Sequence, residues 1–204
     1  QESKLRIGFH GHYPHLFKFA PFIKSAIEEI NKTIETEVVV ITGHPGFDWK
    51  DGRPNVNVEM HDYDGNFEKV IKTCDIGIVP NVSDVRMFVK GVENITSVDH
   101  GLYETDYFIR MKNKTNAGRS YVFYQLGIPV IHDLSPSSFE LLSKTGYSFC
   151  GHDKLSYCRE IKKLTDHNLR NEVARANKNV FDKYYDPKVH ASELIKKIEG
   201  VVNE

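Results

Sequence analysis

The 204-residue chain has no run of 18 apolar residues, so nothing in it reads as a membrane-spanning helix. It also lacks an excess of charge of one sign. Its 27 Lys and Arg against 28 Asp and Glu leave a net charge of −1, which excludes a general nucleic-acid binder with a basic face. Cysteine is scarce. Cys74, Cys150 and Cys158 are odd in number and have no C-x-x-C spacing, which excludes a disulfide framework and a zinc knuckle. They read as reduced thiols, with Cys74 and Cys150 beside buried strands. The opening QESKLRIGFHG lacks a signal-peptide core, and with unpaired cysteines the expected compartment is the cytoplasm. No internal repeat or low-complexity segment interrupts the chain. The four Asn-x-Ser/Thr sequons at Asn31, Asn81, Asn94 and Asn113 read as chance matches. What remains is one domain over residues 1–204, long enough for a core that buries roughly 70% of the unfolded surface.

Short apolar strands alternate with amphipathic helices. Leu5–Phe9 is a strand, and Ala20–Thr33 places Phe22, Ile23, Ala26, Ile27 and Ile30 on one helical face. Glu37–Thr42 is a Val/Ile run of the kind buried on both faces of a parallel sheet. Val56–Met60 is less apolar and reads as nearer an edge. Asn66–Thr73 predicts a short helix and Asp75–Pro80 another buried strand, with Asp75 as a turn or cap. Residues 82–112 carry only scattered apolar positions and read as an insertion or long loop. A helix from Lys114 ends at Gly127, and Pro129–His132 is the next strand. Ser137 and Glu140 have capping-box spacing before a helix at Phe139–Lys144. Tyr147–Cys150 predicts a last short strand. Lys154–Leu164, Asp166–Tyr184 and Val189–Val202 predict three closing helices. The alternation implies an α/β fold: a doubly wound, mostly parallel, Rossmann-like sheet with helices on both faces.

In such sheets ligands bind beyond the carboxyl ends of the strands. His10, Gly11 and His12 follow the first strand there, and Gly43 and His44 the second. His61, Asp62 and Tyr63 follow the third, Asn81 and Ser83 the fourth, and His132 and Asp133 the fifth. Lys114, Asn116 and Arg119 sit at a helix start, where backbone N–H groups and the helix dipole attract anions, so this entry reads as a phosphate site. The HGHYPH loop leaves three readings open. His10, His12 and His15 are possible zinc ligands without a carboxylate of their own, backbone-capping groups, or part of a phosphate loop in which Gly8 and Gly11 permit close approach. Tyr121 and Tyr124 read as packing residues.

Taken in order, LRIGFHG, VVVITGHP, CDIGIVPN, KTNAGRSYVFYQLGIPVI and NEVARANKNVFDKYYDP resemble the C-terminal, sugar-nucleotide-binding domain of GT-B-fold glycosyltransferases, the family-4-like group. The resemblance runs from about Lys4 to Val202 and is weakest over the insertion. It implies a hexosyltransferase-like enzyme that moves a sugar from a UDP-, GDP- or similar donor to a hydroxyl of an acceptor glycan or other compound. It implies no cofactor beyond that donor and no metal. The diphosphate is expected against Gly11 and His12 on one side and Lys114, Asn116 and Arg119 on the other. The base is expected near His61, Tyr63 and Asn81. Where many relatives carry two glutamates eight positions apart, this chain has Lys114 and Val122, so Lys114 adds phosphate charge and the ribose contact is left unassigned. No catalytic base is identified. An acceptor site implies a second GT-B domain or partner. The alternatives are a non-catalytic GT-B-like binding module and a histidine-rich metal site on a Rossmann-like sheet.

Overall fold

A computed structural model describes residues 4–11, 15–16, 20–43, 53–80, 117–133 and 135–202. Its strands are β1 (Leu5–His10), β2 (Thr36–Ile41), β3 (Asn57–His61), β4 (Ile76–Val79) and β5 (Val130–His132). They form a parallel sheet in the order β3-β2-β1-β4-β5. The helices are α1 (Pro21–Asn31), α2 (Phe67–Ile71), α3 (Gly118–Gln125), α4 (Pro136–Thr145), α5 (Lys154–Lys163), α6 (His167–Tyr184) and α7 (Pro187–Val202). This is the Rossmann-like architecture expected from the alternation, and β3 is an edge strand as its composition implied. The strand order reverses between β1 and β4. Connections leave these two strands in opposite directions and open a crevice at their carboxyl ends.

Strand alternation divides the core in two. Leu5, Ile7 and Phe9 of β1 join Val38, Val40, Ile76, Ile78 and Ile131 under α1 and α5. α1 brings Ile23, Ala26, Ile27 and Ile30 to that face, at the spacing of one helical stripe. On the other face Ile41, Val79 and Val130 meet Phe123 and Tyr124 of α3, Leu141 of α4, and Val180 and Phe181 of α6. β2 is buried throughout, but one of its buried positions is a charge. Arg6 reaches Glu37 at 2.7 Å and Glu59 at 2.6 Å, so an ion-paired row crosses β1, β2 and β3. Asp75 fastens the base of β4 by accepting the Arg6 N–H at 2.9 Å and pairing with Arg170 at 3.3 Å.

One contact fixes α3 against the sheet. Gly8 and Gly77 are register partners on β1 and β4. A Cβ on Gly77 would meet the Phe123 ring at 2.7–2.8 Å, and one on Gly8 would meet Cys74 Sγ at 2.7 Å and Phe123 at 3.5 Å. The two missing side chains leave a notch that the ring fills. α3 then ends in a Schellman turn: Gly127 takes φ +67°, its N–H bonds Tyr124 O at 3.1 Å, and Ile128 N–H bonds Phe123 O at 2.9 Å.

Three local expectations need correction. α3 begins at Gly118 after Ala117, not at Lys114, and of the three entry residues only Arg119 lies on it; Lys114 and Asn116 fall outside the described residues. The Ser137/Glu140 capping box does not form. Pro136 occupies the first turn of α4 and has no N–H to cap, Ser137 bonds the Ser135 hydroxyl, and Glu140 pairs with Lys144. A capping box appears instead at α5, between Asp153 and Ser156. The strand expected at Tyr147–Cys150 is a single bridge between Cys150 and His132. β5 is only three residues long, and His132 alone exchanges bonds with Phe149 O and Gly151 N. The predicted insertion at 82–112 lies outside the described residues. Among the described residues no helix is long and apolar enough to cross a membrane. α7 leaves Leu194, Ile195, Ile198 and Val201 exposed.

Gly77→Ala should force Phe123 out of its notch. Overpacking of this kind costs about 1–3 kcal/mol, readable as a lower urea midpoint at unchanged m-value.

Candidate functional site at the carboxyl edge of the sheet

The crevice between β1 and β4 is occupied by Arg119, in the first turn of α3. Its Nη2 donates to Pro80 O at 3.0 Å, just past β4. Its guanidinium lies 5.8 Å from the Phe9 ring centroid, at the end of β1. Gly11 backs onto it. Gly11 has φ +136°, its N–H donates to Ile41 O at 3.0 Å, and a Cβ there would stand 3.1 Å from Arg119 Cδ. A side chain at position 11 would strain the backbone and crowd the arginine by a few tenths of an ångström. Burial pulls the Arg119 pKa down, and the nearby Asp133 carboxylate opposes that shift. Ala117, the residue before the helix, supplies no side-chain cap.

Two buried imidazoles hold this end of α3. His10, at the end of β1, is 5% exposed. Its Nε2 lies 2.8 Å from the Arg119 carbonyl oxygen and its Nδ1 lies 3.0 Å from the Tyr63 hydroxyl. A carbonyl only accepts, so Nε2 carries the proton. Burial pulls the His10 pKa down to about 4, which keeps the ring neutral; its bond to the Arg119 carbonyl pulls the other way. Nδ1 is then an acceptor, and Tyr63 donates to it. His132, at the end of β5, is fully buried, and its ring nitrogens lie 3.3 Å from Ser120 Oγ and 3.2 Å from Tyr124 OH. Burial lowers its pKa to about 3. β1 and β5 thus each hold α3 through a histidine.

Of the residues singled out in the sequence, Gly11, Tyr63 and Arg119 come together around His10. His61 does not join them. Its Nε2 bonds Glu59 two residues back along β3, at 2.6 Å, in the ion-paired row begun by Arg6. Arg6 takes one oxygen of the Glu59 carboxylate, and the imidazole takes the other. His12, Asn81, Lys114 and Asn116 lie outside the described residues. Among the described residues no group of three metal-ligating side chains converges. His10 spends both ring nitrogens on protein partners, so of the three loop readings it fits backbone capping. Val122 packs half-buried against the α3-side core.

Asp133, expected past the end of the fifth strand, stands at this edge, and so does Tyr157, which the sequence did not single out. Asp133 is 1% exposed, and its Oδ1 accepts from Ser135 N at 3.2 Å and Ser138 Oγ at 2.9 Å. The Tyr157 ring packs on Gly151, whose N–H bonds His132 O at 2.8 Å, the carbonyl joined to Asp133. Neither Asp133 Oδ2 nor the Tyr157 hydroxyl has a hydrogen-bond partner among the described residues. The position of Asp133 after an apolar strand was a usable signal. Tyr157 offers none, since its place depends on how α5 lies on the sheet.

No protein-family model matches the chain, and no curated protein matches it in sequence. Solved structures do match in fold. WaaG, a glycosyltransferase of lipopolysaccharide biosynthesis, superposes over 91% of this chain and 44% of its own at TM-score 0.59 and 12% identity. A mutant of S. aureus TarM, in complex with UDP, fondaparinux and α-GlcNAc-glycerol, matches over 100% and 37% at TM-score 0.57 and 12% identity. The spinosyn rhamnosyltransferase SpnG bound to thymidine diphosphate matches over 97% and 45% at TM-score 0.52 and 14% identity. The fold is therefore GT-B glycosyltransferase-like. The chain spans less than half the length of each of these proteins.

The two imidazoles make stability depend on pH. In the unfolded chain both protonate near pH 6.5, but in the folded chain only near 4 and 3, so the unfolded state binds more protons in between. Stability should fall as pH drops below about 6.5, by roughly 2 kcal/mol per imidazole at pH 5. Urea midpoints measured from pH 7.5 to 5 check this, and His132→Gln should flatten the slope.

Proposed function

We propose that residues 1–204 form the donor-binding, C-terminal half of a family-4-like GT-B glycosyltransferase, a single domain with an insertion at 82–112. The observation that carries this reading is Arg119 and the α3 N-terminus lying at the reversal of strand order, between the ends of β1 and β4. A helix N-terminus with a cation in its first turn suits a diphosphate. The half-buried setting of Arg119 strengthens its pull on an anion relative to open solvent. UDP in the TarM crystal and thymidine diphosphate in the SpnG crystal lend support by analogy of fold.

In this reading the sugar passes from a nucleoside diphosphate to an acceptor hydroxyl. The C–O bond to the diphosphate breaks, a C–O bond to the acceptor oxygen forms, the acceptor's proton passes to the departing diphosphate or to solvent, and charge builds on the leaving oxygen. Arg119, the α3 dipole and, from the preceding segment, Lys114 and Asn116 stabilise that charge, with no metal and no further cofactor. Gly11 keeps the approach to Arg119 open, with His12 beside it, and the base lies toward Tyr63 and Asn81. The acceptor is bound by a second domain or partner, consistent with the larger size of the similar structures.

Val122 favours a second reading. At a position where the resembled family carries a carboxylate, an apolar side chain packed on the α3-side core has no group for a ribose. A domain that binds a nucleotide without transferring a sugar would fit it. The two readings part on turnover in the presence of an acceptor domain.

Isothermal calorimetry with UDP, dTDP, GDP and ADP tests the shared claim. Binding should be seen for at least one, and Arg119→Ala should weaken it by about 1.5–3 kcal/mol, roughly 10- to 150-fold in Kd. Arg119→Lys keeps the charge and should lose less; melting curves check that both variants fold. No binding at millimolar ligand would defeat the reading.

A further inference from the structure

The geometry points to Tyr63 as a specificity-determining residue, held by His10 as a hydrogen-bond acceptor at the crevice rim, so that the bound ligand must offer it an N–H or O–H group. The assignment rests on the nucleotide reading of the crevice and goes beyond it by fixing the polarity of one contact.

The argument follows the protons. The Arg119 carbonyl has no hydrogen to give, so His10 Nε2 is the donor at 2.8 Å. A neutral imidazole carries a single N–H, which leaves Nδ1 bare. At 3.0 Å from it, the Tyr63 hydroxyl has to supply the hydrogen. Its one proton is then directed inward, and only the oxygen lone pairs are left for a ligand. Two ring contacts set this geometry. His10 packs against Phe123 at 5.1 Å between centroids, the ring that sits in the glycine notch. Tyr63 meets Phe67 of α2 edge-on at 5.5 Å. Yet Tyr63 is 44% exposed, so it is accessible where its neighbour His10 is not. Among the described residues, the titratable and charged groups facing His10 are Tyr63 from the end of β3 and Arg119 from α3. Neither forces a second proton onto the ring: burial raises the Tyr63 pKa, which keeps it a phenol, and the Arg119 charge disfavours an imidazolium.

The two polar groups at this edge therefore have opposite preferences. Arg119 takes an anion. Tyr63, with its proton committed, repels a phosphate oxygen and accepts from a base N–H or a ribose O–H. A nucleoside diphosphate is thereby oriented along the crevice, phosphates toward α3 and the donor-bearing end toward β3. His10 touches neither; it is a positioning residue that acts through Tyr63 and the Arg119 carbonyl.

The first measurement is the His10 tautomer in the 15N-labelled chain, read from two- and three-bond proton–nitrogen couplings. The Nε2–H form is expected from pH 7.5 to 5.5, and an Nδ1–H form or an imidazolium at pH 7 would overturn the assignment. The second is calorimetry with UDP, GDP, dTDP and ADP on the wild type and on Tyr63→Phe, His10→Ala and His10→Gln. Tyr63→Phe should weaken the tightest probe about fivefold, the usual value of one lost hydrogen bond of this type. His10→Ala should do the same by freeing the Tyr63 proton. The glutamine amide has an NH2 group that can donate to the Arg119 carbonyl and an oxygen that can accept from Tyr63, so His10→Gln should restore most of the affinity. Unchanged binding in Tyr63→Phe, or His10→Gln no better than His10→Ala with both folded, would overturn the assignment and leave the nucleotide reading standing. A wild type that binds no probe defeats the nucleotide reading itself.

Discussion

The seating of the Phe123 ring over Gly8 and Gly77 is the contact on which the crevice depends. Two register-paired glycines on adjacent central strands remove side chains where α3 must approach most closely. The ring fills that space, and the first turn of α3, one helical turn away, lands at the ends of β1 and β4. Arg119 then meets Pro80 O, Phe9 and Gly11 without strain on its own helix. A bulkier strand pair would lift α3 and carry Arg119 out of the crevice with it.

Two buried neutral histidines complete the fastening. His10 and His132 stand at the ends of β1 and β5, and each binds a group in the first two turns of α3. Such groups are costly to bury unless satisfied, and here both ring nitrogens of each have partners. His10 passes its constraint on to Tyr63, so the packing of α3 and the hydrogen-bonding character of the crevice rim are one arrangement. Near them, Asp133 Oδ2 and the Tyr157 hydroxyl, without hydrogen-bond partners among the described residues, mark the polar side of the edge, where the Asp133 charge also offsets that of Arg119.

The sheet was legible in the sequence because its strands are short apolar runs separated by Gly, Pro and Asp. Periodicity also placed α1: of the expected stripe, Ile23, Ala26, Ile27 and Ile30 are buried and Phe22 is partly buried at its edge. Boundaries failed where one residue type can serve two roles. Ser137 and Glu140 have capping spacing, but Pro136 had already begun the helix and both side chains found other partners. Tyr147–Cys150 looks like a strand, yet β5 is too short to pair with more than one of its residues. For the site, the strand-end rule pointed to His10, Gly11, Tyr63, His132 and Asp133, and the basic helix entry pointed to Arg119. The strand-end rule also pointed to His61, which a local carboxylate on the same strand had already claimed.

Order along the chain, by itself, determined the class of fold, the edge position of β3 and which residues stand at the carboxyl ends of the strands. These follow from hydrophobic period and from connections that hold whatever the neighbours are. Only the tertiary structure decided that Gly8 and Gly77 form a notch, that His10 faces Arg119 and Tyr63 rather than a metal, and that Tyr157 lies near Asp133. Each of these joins residues tens of positions apart, and their meeting depends on the rotation and depth at which a helix settles on the sheet. Periodicity specifies which face of a helix turns inward, but the space left by the side chains beneath it sets how far in and at what height it comes to rest.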